Sequence, residues 1–312
     1  MDANSGRLPK TRRVPEAFVD KKLTERGLKI IEIIGRYRFI QTSSIIRLIG
    51  GNEDVTHRHL QHLYHADLIS RLKLASQGNN AEFVYFLENS AVIRGLLNDK
   101  RVRSESFDFD QIRQNRTKYG SESAKSAGKH LFLEHELMIS RFHAGIECGC
   151  AEQKGRMIVR RWWQGNETWD HVSVPRSKWC EPRALPVRPD AYFTLEFPGA
   201  SPGQQRSHFF YEADRGTSNI SRFNLKVLSY VHYFLKGEYL KKYGSRKVRA
   251  VLVETLSEGR AKEIIAGISE ICAHYPIAGS LFWLKKGCGE SRHDLDAVWT
   301  SMASKSFHSI LD

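Results

Sequence analysis

Apolar residues recur at helical spacing through LTERGLKIIEIIGRYRF, where Leu28, Ile30, Ile31 and Ile34 form one stripe and Thr24 stands in the N-cap position. QTSSIIRLIGG follows, with Thr42 and Ser43 as capping residues, Ile45, Ile46, Leu48 and Ile49 as its apolar content, and Gly50 and Gly51 as its stop. A third helix is predicted over EDVTHRHLQHLYHADL, burying Val55, Leu60 and Leu63 and leaving His57, Arg58, Gln61 and His62 on its other faces. The runs LISRLKLA and FVYFLEN are short and β-rich, and the turn-forming SQGNN between them predicts a hairpin.

Three short helices followed by a hairpin predict a winged helix-turn-helix over residues 23–97, and the order of elements from Thr24 to Glu88 resembles that superfamily. In such an arrangement the third helix enters the major groove, the second crosses the backbone and the wing approaches phosphates. The candidate DNA contacts are then Thr42, Ser43 and Arg47 on the second helix, His57, Arg58, Gln61 and His62 on the third, and Arg71 and Lys73 in the hairpin. Arg58, Gln61 and His62 are the candidates for base edges. The alternative is a winged helix that binds protein or dimerises. The spacing of His57, His59, His62 and His65 also permits a zinc reading, but a polar helix facing DNA accounts for most of them, and no cysteine or carboxylate cluster completes such a site.

A basic tail over residues 1–22 carries Lys10, Arg12, Arg13, Lys21 and Lys22, and residues 98–129 read as a polar, charged linker, with partial helix as the alternative. From His130 the pattern changes. HLFLEHELMISRFHAGIE predicts a helix that buries Leu131, Met138 and Phe142 and carries Glu134 and Glu136; RMIVRRWW, VRPDAYFTLEF and SHFFYEADRG predict a meander of strands. A helix over SRFNLKVLSYVHYFLKGEYLKKY, the strand VRAVLVET, a helix over RAKEIIAGISEICAHY and the strand SLFWLK complete residues 130–312. Strands alternating with helices imply parallel pairing, so the fold class is α/β.

Of 312 residues, 48 are Lys or Arg and 35 Asp or Glu, a formal charge of +13. Both halves of the chain are basic, which favours a polyanionic partner, DNA first; a basic pI that merely aids solubility and an anionic membrane surface are the alternatives. No apolar run approaches the roughly 18–20 residues that span a bilayer, and the start has charges without an apolar signal core, so no membrane association and a cytoplasmic location are expected. Cys148, Cys150, Cys180, Cys272 and Cys288 lack repeated CxxC spacing and read as reduced thiols, with a metal clip at Cys148 and Cys150 as the alternative.

Asp190 follows Pro189 at the start of one strand, and Glu212 and Asp214 lie two apart on the next, hence on one face. Three converging carboxylates suit a hard cation, Mg²⁺ or Mn²⁺, which activates water and stabilises phosphoryl charge. Pro189-Asp190 followed by Glu212-Ala213-Asp214 resembles the PD-(D/E)XK nuclease superfamily. RPDAYFTL, FFYEADRGT and NLKVLSY more closely resemble the replication-relaxation family of plasmid and mobile-element proteins, from about Thr24 to Lys285. That resemblance implies a winged helix joined to a PD-(D/E)XK restriction-endonuclease-like domain, with DNA as partner and a relaxase, helicase or replication initiator beside it.

Asp214 occupies the position of the nuclease lysine and supplies no positive charge. The resemblance offers Lys226 as a cation displaced to the following helix, one turn before Tyr230, and Glu134 or Glu136 to complete a metal shell. The candidate catalytic set is Asp190, Glu212, Asp214, Lys226 and Tyr230; the candidate metal set is Asp190, Glu212, Asp214 and Glu136. The alternatives are turn and cap roles for Asp190 and Asp214, an ordinary surface lysine at Lys226, and core packing for Tyr230. Three functions follow: a DNA-binding accessory protein of plasmid replication or mobilisation, a metal-dependent endonuclease with a migrated lysine, or a winged-helix repressor.

Overall fold

The computed structural model describes residues 23–73, 82–119, 127–244, 248–286, 295, 298–302 and 307–310. The basic tail, the SQGNN turn and Cys288 fall outside the described residues. Two compact units divide the chain, Met1–Ala144 and Gly145–Asp312.

The first unit contains α1 (Glu25–Tyr37), β1 (Ile40–Gln41), α2 (Thr42–Ile49), α3 (Glu53–His65), β2 (Ser70–Lys73), β3 (Phe83–Phe86), α4 (Ser90–Asn98) and α5 (Phe109–Tyr119); α6 (Ala127–Glu152) begins in it. Thr24 caps α1 by accepting from Gly27 N–H, and Asn52 caps α3 by accepting from Val55 N–H. The apolar stripe of α1 is fully buried at Ile30, Ile31 and Ile34, and it packs with Ile45 of α2 and Leu60 and Leu63 of α3. The strands form an antiparallel sheet in the order β1-β3-β2.

Three local expectations are corrected. Helix α2 takes Gln41, not Thr42 or Ser43, as its N-cap, and Gln41 makes no side-chain cap. The carboxylate of Glu82 does that work from across the hairpin, accepting from Ser43 N–H and Oγ. The predicted linker is folded as far as Tyr119: Val102 and Ile112 are buried in the α1–α3 core, and Asn115 donates to the Leu87 carbonyl. Its apolar residues are too sparse to show a period, yet they still find a core. On α6 Leu131 is exposed, whereas Leu133 and Leu137 pack with Phe39, Val84 and Phe86; Met138 and Phe142 are buried as expected.

The second unit contains β4 (Ile158–Gln164), β5 (Asp170–Val174), β6 (Arg183–Val187), β7 (Ala191–Glu196), β8 (Arg206–Asp214), α7 (Ile220–Leu235), α8 (Glu238–Tyr243), β9 (Ala250–Thr255), α9 (Glu258–Cys272), α10 (Ile277–Leu281), β10 (Phe282–Lys286), β11 (Trp299–Ser301) and β12 (Phe307–His308). A mixed sheet runs β12-β11-β10-β9-β8-β7-β4, with β8, β9 and β10 parallel and the other pairs antiparallel. This is the α/β class expected. VRPDAYFTLEF is not one strand: β6 ends at Val187 and β7 begins at Ala191, because Pro189 has no N–H to give a sheet interior. The long helix predicted through Tyr243 breaks at Gly237, whose φ of 66° is readily adopted only by glycine.

Helix α7 is wedged between two surfaces. Phe210, Val251 and Val253 of the large sheet and Val172, Val174, Leu185 and Val187 of the antiparallel β5–β6 ribbon share one core with it. This explains why it is apolar nearly all round, with Val227, Leu228, Tyr230, Val231 and Tyr233 buried. Each such side chain contributes roughly 1.5–3 kcal/mol on burial, so Lys226 is carried by one of the most firmly anchored elements of the unit.

Candidate functional site

In the first unit a groove of about 630 Å³ lies among α2, α3 and the β2–β3 hairpin. It is lined by Thr42, Ser43, Arg47, His57, Gln61, Arg71 and Lys73, together with Glu53, Glu82 and Phe83. Arg58 is exposed on α3, donates to the Asp54 carbonyl and, like His62, is not among the lining residues. Thr42 is buried and its hydroxyl donates to the Phe83 carbonyl, which makes it a joint between α2 and the hairpin. The Arg71 guanidinium lies 4.0 Å from the Tyr64 ring centre and 4.3 Å from that of Phe83, and Lys73 lies 5.3 Å from the latter. These aromatic faces fix the cations of the hairpin in place. Of the four histidines on α3, His57 is exposed and His65 fully buried, so they do not share a face.

In the second unit the strand period places Glu212 and Asp214 together on the face of β8 that meets α7. Glu212 is almost completely buried; its Oε2 pairs with Lys226 Nζ, and its Oε1 accepts from Tyr230 OH at 2.5 Å. The side chains that sequence reasoning placed one turn apart on a helix thus both reach this one carboxylate. Burial pushes the Glu212 carboxyl up to about 8 against the pull of Lys226, with Asp190 adding to the rise. For Lys226, burial acts to lower the pKa, but the Glu212 and Asp190 carboxylates outweigh it and hold the ammonium above its ordinary value.

Asp190 Oδ2 accepts Ala213 N–H at 2.8 Å and its own N–H donates to the Tyr211 carbonyl, extending the β7–β8 ladder past Ala191. Asp214 is held differently. Arg260, in the first turn of α9, donates through Nε to Oδ1 and through a terminal nitrogen to Oδ2, both at 3.0 Å, and Gly216 N–H also donates to Oδ1. Hydrogen bonding to Asp214 raises the Arg260 guanidinium against the opposing effect of burial. Arg260 lies 46 residues from its partner, and nothing in the local pattern singles it out. A second buried trio sits on the opposite sheet face, where Glu254 accepts from Tyr211 OH at 2.6 Å and pairs with Lys285 at 3.1 Å.

A hard divalent cation needs several oxygen ligands. Here both oxygens of Glu212 and both of Asp214 are engaged by Lys226, Tyr230 and Arg260. Glu136, offered for the metal shell, is a buried residue of the first unit. Among the described residues no group of three or more His, Cys, Asp or Glu is spaced to hold a metal ion. As folded, this donor set does not fit one. What the arrangement provides is a carboxylate cluster at the C-terminal end of β8, countered by the charges of a lysine and an arginine and hydrogen-bonded by a phenol.

A mixed α/β unit of this topology, preceded by a helical unit with a cation-lined groove, defines the class of architecture. The chain belongs to the replication-relaxation family, whose model matches residues 31–248. Neither curated proteins nor solved structures gave a match. Among the described residues no helix is long and apolar enough to cross a membrane.

Proposed function

We propose that this protein is a DNA-binding accessory factor of plasmid or mobile-element replication or mobilisation. In this reading the first unit is a winged helix that docks on duplex DNA, and the second is a PD-(D/E)XK-like domain used for binding DNA or a partner. The observation that carries it is the groove of the first unit, where Ser43, Arg47, His57, Gln61, Arg71 and Lys73 converge on one surface. Phosphate contacts supply affinity and release counterions, and α3 supplies what sequence preference exists. The partner beside it would be a relaxase, helicase or replication initiator.

The test is a gel shift on duplex DNA across a salt series with Arg47→Ala and Lys73→Ala. Each variant weakens binding at all sequences and lowers the salt slope by about one; unchanged affinity and slope in both would refute the groove as the interface.

A second reading, an active metal-dependent endonuclease, is favoured by the contact of Lys226 with Glu212, which sets a cation beside a carboxyl brought near neutrality. It requires Lys226 and Arg260 to release their carboxylates when substrate arrives. Cleavage assays with metal separate the two readings.

A further inference from the structure

At the end of β8 remote from Glu212, arginines surround a pocket of about 500 Å³. The strand register builds it. Arg161 on β4 stands opposite Thr194 on β7, and Thr194 stands opposite His208 on β8, so the three side chains form one row on a single sheet face. The register shifts between Val159 and Arg161, and this bulge lets the neighbouring Arg160 line the pocket as well. Arg206, two residues before His208, shares its face, and Tyr243 closes the floor, its ring 4.1 Å from that of Tyr192 and 5.8 Å from that of Trp163.

The charges are unequal. Glu196 is paired with Arg206 at 3.0 Å and Arg160 at 3.7 Å, whereas Arg161 has no carboxylate partner among the described residues and lies 4.4 Å from the Trp163 ring centre. His208 Nδ1 is 2.8 Å from Tyr192 OH and 3.0 Å from Thr194 Oγ1. In the tautomer where Nδ1 accepts from one of these hydroxyls, the neutral ring carries its proton on Nε2, which has no hydrogen-bond partner among the described residues. Burial, followed by the adjacent Arg206 and Arg161, lowers His208 to about 4, so the ring is neutral at physiological pH.

We propose that this pocket binds the phosphate group of a nucleotide, with Arg161 as the charged clamp, Arg206 beside it sharing its charge with Glu196, and His208 Nε2 as a further donor, over the aromatic floor of Tyr243. Guanidinium forks match phosphate oxygens in pairs, and the volume falls within the range of small-ligand sites. Four residues along β8, about 13 Å, separate it from Glu212. The inference therefore rests neither on the carboxylate cluster nor on the groove of the first unit. The phosphate has two possible sources, a free nucleotide or a DNA strand.

Isothermal titration of the full chain with inorganic phosphate, AMP, and a single-stranded oligonucleotide with and without a 5′-phosphate tests this, beside Arg161→Gln, His208→Asn and, as a control, the exposed α9 residue Lys262→Ala. Arg161→Gln and His208→Asn are expected to weaken binding of at least one phosphate probe, Arg161→Gln by about tenfold or more, with the thermal unfolding of Arg161→Gln unaltered and Lys262→Ala binding like the parent. Binding of AMP or inorganic phosphate assigns the pocket to a free nucleotide; binding of oligonucleotides alone assigns it to a strand. No binding of any probe, or equal binding by Arg161→Gln and the parent, overturns the proposal.

Discussion

Replacing Arg260 with methionine would remove a bidentate partner from Asp214 while filling much the same volume. Both side chains are only 7% exposed, and two hydrogen bonds of 3.0 Å join them. The variant therefore leaves a carboxylate buried with one backbone donor, Gly216 N–H, to hold it. Breaking a buried pair from one side costs about 3–5 kcal/mol, a large share of the roughly 5–15 kcal/mol that keeps a domain folded. All six tryptophans lie beyond Gly145, so urea unfolding followed by tryptophan fluorescence reads the second unit alone. Arg260→Met should lose about 3–5 kcal/mol, and adding Asp214→Asn should recover most of it. Asparagine leaves no stranded charge and keeps an oxygen for Gly216 N–H. A loss below about 1 kcal/mol, or a double variant as unstable as the sum of the singles, would refute the assignment of Asp214 as an ion-pair anchor.

Other predictions bear on the remaining groups. Glu82→Gln removes a carboxylate from the N-terminal end of α2 inside the groove of the first unit, so, on the proposed function, duplex affinity should rise by roughly threefold or more at low salt and converge with the parent at high salt; unchanged or weaker binding at low salt would count against phosphate occupying that groove. His208 falls from 6.5 to about 4 in the folded chain, so its contribution to stability is present above about pH 6.5 and lost as pH drops towards 4. That shift corresponds to at most about 3 kcal/mol, with roughly half surviving its partial exposure, and His208→Asn should flatten the acid limb of stability against pH. Glu212 carries the opposite sign: raised from 4.5 to about 8, it favours the folded state below about pH 4.5 and loses that contribution as pH rises through 8. Unfolding of Glu212→Gln measured from pH 5 to 9 should lack that slope, and an unchanged slope would show that another group titrates.

Much of the site was legible because its geometry is local. Two-residue spacing put Glu212 and Asp214 on one face, and four-residue spacing put Lys226 and Tyr230 on one helical face; Glu212 meets both. The elements around the groove of the first unit followed from the order of three short helices and a hairpin. What escaped was long-range. Arg260 reaches Asp214 across 46 residues, and Glu82 caps a helix at Ser43, 39 residues before it in the chain. The β5–β6 ribbon was missed because its alternating residues, Val172, Val174, Leu185 and Val187, lie among prolines and charges that read as loop. The linker reading failed for a related reason: Val102 and Ile112 are buried one at a time, without the periodicity that announces a helix face.

The central claim is that the protein acts by binding DNA and not by cutting it. Purified protein should be incubated with supercoiled plasmid and with single-stranded DNA, with Mg²⁺, with Mn²⁺ and with chelator, beside Asp190→Ala and Lys226→Ala, and read for both gel shift and strand cleavage. The account predicts binding that weakens steeply with salt and no cleavage in either metal. Metal-dependent cleavage that disappears in both variants would contradict it and make Lys226 the cation of a working nuclease.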